Sequence, residues 1–180
     1  MYLTVKVDPA KEPITLNEVK DHLRIIHDDE DTLIETYIKA ATQHAEGVLT
    51  WRSLITRTYE AKFKEFPRGS NALYLPRPPL QEVISIEYDG GTVTEYVISP
   101  DGYVYPTEDW PQEEDITVTY KAGYGDEPSD VPDDIRAGIF LLTAHFYENR
   151  EPVAIGSTVT SIPFTVEALL SPHRAWGGYG

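Results

Sequence analysis

The chain has 180 residues, room for one or two compact units, and its 41% apolar content with 12 Tyr, 5 Phe and 3 Trp excludes a disordered polymer. It contains no cysteine, which excludes disulfides and thiolate metal sites and fits a reducing cytosol. A net charge of −15, with acids outnumbering bases in every third of the chain, excludes a protein that tracks nucleic-acid phosphates.

The amino terminus, Met1-Tyr2-Leu3-Thr4-Val5-Lys6-Val7-Asp8, has no basic segment followed by an apolar run and does not read as a signal peptide. No stretch approaches the ~18 apolar residues that span a bilayer, so no membrane partner is expected. A first helix opens at Thr15-Leu16-Asn17-Glu18, where Thr15 and Glu18 can cap each other's amides reciprocally. Leu16, Val19, His22, Leu23 and Ile26 then recur at helical spacing for about three turns. The acids Asp28-Asp29-Glu30-Asp31 suit the positive end of a second helix, expected over residues 29–50. They lack the alternating ligands, central glycine and distal glutamate of a calcium loop.

From Leu54 the apolar period changes from 3.6 to 2. Strands are expected over residues 56–66, 73–75, 83–89, 93–99, 103–105 and 116–120, with Asp89-Gly90-Gly91 and Pro100-Asp101-Gly102 as turns. In the third strand Ile84, Ile86 and Tyr88 alternate with Ser85 and Glu87, and the acidic loop 107–115 is expected to project into solvent. A long helix follows Pro132 to about Asn149, apolar around most of its circumference through Ile135, Ile139, Phe140, Leu141, Leu142, Phe146 and Tyr147. Residues 153–162 read as a loop, and 164–170 as a short helix stopped by Pro172. The end, Trp176-Gly177-Gly178-Tyr179-Gly180, offers aromatic anchors on a permissive backbone.

The fold class that follows is α+β. A small helical bundle is formed by residues 1–54 and 126–180, with an antiparallel β-sandwich or barrel-like domain inserted at 55–125. No catalytic constellation accompanies it, so no enzyme activity, cofactor or metal is expected. His22, His27, His44, His145 and His173 have no paired zinc spacing, and phosphate-binding glycine motifs and nucleophile elbows are missing. His145 reads as a core histidine, with a proton-transfer group near Glu148 as its alternative. Tyr88, Tyr96, Tyr103 and Tyr105 offer a second functional reading, a carbohydrate- or ligand-binding module. A hydrolase built on a carboxylate pair is the third.

Several segments, in order and spacing over nearly the whole chain, resemble the head–tail connector (adaptor, or head-completion) proteins of tailed phages and prophages. They are Ile14-Thr15-Leu16-Asn17-Glu18-Val19-Lys20-Asp21-His22-Leu23-Arg24-Ile25, Asp28–Leu33, Leu75-Pro76-Arg77-Pro78-Pro79-Leu80-Gln81-Glu82-Val83, Val118-Thr119-Tyr120-Lys121-Ala122-Gly123-Tyr124-Gly125, Val131-Pro132-Asp133-Asp134-Ile135, Ala144-His145-Phe146-Tyr147-Glu148-Asn149-Arg150-Glu151 and Val166-Glu167-Ala168-Leu169-Leu170-Ser171-Pro172-His173-Arg174. The resemblance implies a structural subunit that forms a homo-oligomeric ring, usually a dodecamer, beneath the portal protein. Such a ring extends the DNA channel without binding the DNA specifically and receives a tail-side neck or terminator protein. The implied location is the virion neck, reached from the host cytoplasm during assembly. On this reading Phe164, Val166, Leu169, Leu170, Arg174, Trp176 and Tyr179 are expected to dock on the portal.

Overall fold

The computed structural model describes residues 1–149 and 163–175. Its contacts divide the chain into two units, one built chiefly from Met1–Ala10 and Arg52–Asp126, the other from Lys11–Trp51 and Glu127–Arg174.

The first unit is antiparallel β. A five-stranded sheet runs in the order β1-β2-β8-β4-β5 from β1 (Tyr2–Val7), β2 (Arg57–Glu65), β8 (Glu114–Ala122), β4 (Leu80–Tyr88) and β5 (Gly91–Thr92). A three-stranded sheet has the order β3-β7-β6, from β3 (Leu73–Tyr74), β7 (Tyr103–Pro106) and β6 (Tyr96–Ile98). Neither closes into a barrel, and residues of both sheets share one core. The central strand β8 shows the alternation its sequence predicts, burying Ile116, Val118, Tyr120 and Ala122. Tyr59 pairs with Tyr120 across β2 and β8, the rings stacked at 5.5 Å, and the Tyr120 hydroxyl donates to the Pro76 carbonyl at 2.8 Å. Burial pushes that phenol far above its usual range.

Three expectations change here. Residues 2–7 were assigned to the helical arm, yet they form β1, paired with β2 at the edge of the larger sheet. The phase of β4 shifts, because register irregularities after Leu80 and Val83 bury Val83 and Ile86 and leave Ile84 exposed. The acidic loop is pinned rather than projecting: Trp110 is buried, stacked on Phe66 at 5.0 Å, and donates from Nε1 to the Asn71 carbonyl at 2.7 Å. Gly123, with φ at +140°, leaves the sheet where a Cβ would stand 2.7 Å from the backbone of Ile55 and Thr56, so only glycine fits that close approach.

The second unit is helical. It comprises α1 (Leu16–Leu23), α2 (Asp31–His44) continued by a π-helical turn over Ala45–Thr50, α3 (Asp133–Glu148) and α4 (Phe164–Leu170). The capping box forms as expected, with the Glu18 amide donating to Thr15 Oγ1 and the Thr15 amide to Glu18 Oε2. However, α1 stops two turns in, because Arg24 turns left-handed at φ +58° and the Ile25 amide folds back on the Lys20 carbonyl. The single helix expected over 29–50 changes register in its last turn. The Thr50 hydroxyl donates five residues back to Ala45 at 2.8 Å, and Trp51 ends the turn in the left-handed region.

The two arms of the sequence meet in this unit. Ile34, Ile38 and Ala41 of α2, Ile135, Ile139 and Leu142 of α3, and Val166 and Leu170 of α4 are all buried. Arg136 of α3 donates to the Pro13 carbonyl at 3.2 Å and to Glu18 Oε1 at 2.5 Å. The Tyr147 hydroxyl donates to Glu30, and Lys11 pairs with Glu127.

Candidate functional site

Among the described residues no group of three or more His, Asp or Glu is arranged to hold a metal ion. The acidic run before α2 has a cation of its own: Lys20 donates to Asp28 and Asp31 at 2.5 and 2.7 Å. Those bonds raise the Lys20 ammonium above its usual range and hold the Asp28 carboxyl below its own. The histidines are dispersed. His22 lies against the Phe140 ring, His27 beside Asp29, and His173 bonds Asp134. His145, expected in the core, is half-buried with Nδ1 3.4 Å from the Asn149 amide, and Glu148 is exposed.

The four tyrosines of the ligand-binding reading do not converge on one platform. Tyr103 sits 6.4 Å from Tyr105 and 5.2 Å from Tyr74. Tyr88 packs edge-on to Phe66 instead, and the Tyr96 hydroxyl is spent on the Val83 carbonyl.

The surface that remains is carried by α3 and α4. Only one stripe of α3, from Ile135 through Gly138 and Ile139 to Leu142 and Thr143, is fully buried. Phe140, Leu141, Phe146 and Tyr147 are only partly buried among the described residues. Gly138 lets α4 approach closely: a Cβ there would lie 3.0 Å from the Leu170 side chain. The contact is tied at its end by His173, whose bond holds the Asp134 carboxyl below its usual range against the opposing effect of burial.

The expected docking residues therefore divide. Val166 and Leu170 point into the helical unit, Leu169 is half-buried, and Phe164 (82% exposed) and Arg174 face outward. Trp176 and Tyr179 lie outside the described residues. Sequence reasoning missed Gly138 and the exposure of Ile26. A glycine inside an apolar helix was the available signal for the first.

A model of the head completion protein family matches residues 12–176. No curated protein sequence matches the chain. Three solved structures are similar over 100% of this chain and 98% of theirs, each with a TM-score of 0.80. They are the virion of a native gene transfer agent particle at 24% identity, the neck of an empty such particle computed with C6 symmetry at 25%, and the neck of a native particle computed with C12 symmetry at 24%.

Proposed function

The chain belongs to the head completion protein family, and from that premise we propose that it is a non-enzymatic head–tail connector subunit in the neck of a phage-like particle. The observation that carries this reading is the end-to-end likeness, at 25% identity, to a chain of a gene transfer agent neck. Twelve copies close into a ring beneath the portal protein, continue the DNA channel and present a lower face to a tail-side protein. The C6 and C12 symmetries of the similar neck structures support a ring of this kind. Acidic charge facing the lumen keeps phosphates from adhering.

Portal docking falls to the outward side of α4, with Phe164 as the apolar anchor and Arg174 as the polar one, while Val166 and Leu170 hold the helix in place. The test is particle assembly with Phe164→Asp combined with Arg174→Glu. Both positions are exposed, so the protein is expected to fold and heads to accumulate without tails. Normal joining would overturn the docking assignment. Electron microscopy of the chain mixed with portal checks the ring, and failure to form any ring on the portal would overturn the connector reading.

A further inference from the structure

Ile26 is the most exposed large apolar side chain among the described residues, at 97%. It stands in the turn between α1 and α2, turned outward by the left-handed Arg24, and is followed by Asp28 and Asp29, both nearly fully exposed. At the opposite end of α1 a hollow of about 330 Å³ opens over the side chains of Ile14, Leu16 and Ile38. Its rim carries Lys11, paired with Glu127, and Lys39, which forms no ion pair among the described residues, beside Glu12 and Glu35. Eight residues of helix, about 12 Å of rise, separate the hollow from the turn, so no copy fills its own hollow with its own Ile26.

We infer that Ile26 of one copy seats in the Ile14–Leu16–Ile38 hollow of the next copy, with Asp29 brought beside Lys39. Three observations converge on a second copy as occupant. A bare isoleucine in water is the complement of a hollow that offers aliphatic walls and room for such a side chain. Asp29 behind it would meet Lys39, a rim lysine with no ion pair among the described residues. Knob and hollow at opposite ends of one short helix make a head-to-tail contact, which propagates from copy to copy and closes where the rotation allows. That closure rests on the connector reading above; the contact itself does not.

The absence of cysteine makes the test clean. Full-length Ile26→Cys and Leu16→Cys chains, mixed in equal amounts at high concentration and oxidised, are expected to yield mixed disulfide dimers well above the homodimers each gives alone. Lys39→Glu should reduce that yield, and Ile26→Asp, at a solvent-exposed position, should weaken self-association about tenfold or more. The chain carrying both cysteines should give a ladder of cross-linked oligomers that ends in a closed ring. A discrete dimer closed by two disulfides would keep the contact and overturn the ring. No mixed cross-link, with Ile26→Asp associating as the unaltered chain does, would overturn the inference while leaving the connector reading standing.

Discussion

Glu18 accepts from the amide and the hydroxyl of Thr15, both at 2.8 Å, and from Arg136 of the carboxy-terminal arm. One side chain thus caps a helix and fastens the two ends of the sequence together. Burial opposes its charge, but the Thr15 bonds and Arg136 outweigh it and hold the carboxyl below the usual glutamate range. A lowered folded pKa means stability that is present above the ordinary carboxylate range and lost as pH falls through the lowered value. Thr15→Ala should cost about 1 kcal/mol in urea denaturation. Glu18→Ala removes the same cap and a partly exposed ion pair worth up to ~1 kcal/mol more. The Glu18→Ala variant should also lose less stability than the parent on acidification below about pH 5. Parallel acid limbs for the two proteins would show that this carboxylate does not couple folding to pH.

At the scale of elements, Gly138 decides whether α4 stays on α3. A valine there would drive methyls into Leu170, an overpacking penalty of about 1–3 kcal/mol concentrated on a seven-residue helix. Gly138→Val should therefore strip hydrogen-exchange protection from residues 164–173 while leaving that of β2 and β8 unchanged; retained protection in α4 would show that the helix can shift to accommodate the methyls. Elements whose apolar residues repeat regularly were legible in the sequence: α1 from its capping box, α3 from its apolar run, and β2 and β8 from their alternation. What was hidden depends on one backbone angle or on a distant partner. Ile26 continues the helical spacing of Leu16, Val19 and Leu23, yet a single left-handed residue at Arg24 puts it in water. β1 exists through pairing with residues more than fifty positions away, and its exposed Tyr2, Val5 and Val7 give no one-sided pattern. Trp110 sits in a run of acids that reads as solvated, and its burial follows from Phe66, forty-four positions earlier. In the candidate docking helix, hydrophobicity identified α4 but not its orientation, which the close approach at Gly138 sets.

For the whole molecule, the charge of −15 and the partly buried apolar side chains of α3 suit the proposed working state, many copies side by side with a duplex passing through. The two demands oppose each other, because like-charged copies repel unless screened, whereas repulsion of phosphate is what a channel requires. Salt relieves the first within a Debye length, about 10 Å at 0.1 M, and apolar contacts such as the proposed Ile26 knob are unaffected by it. Self-association measured by sedimentation should therefore strengthen as salt rises from about 0.01 to 0.5 M, the opposite of an assembly held by ion pairs. Over the same range the chain should leave a duplex DNA fragment unshifted, since it has no net positive charge with which to release counterions. DNA retained at low salt and released at high salt would mean that a basic surface is presented to the duplex after all, and the slippery-channel reading would have to be abandoned.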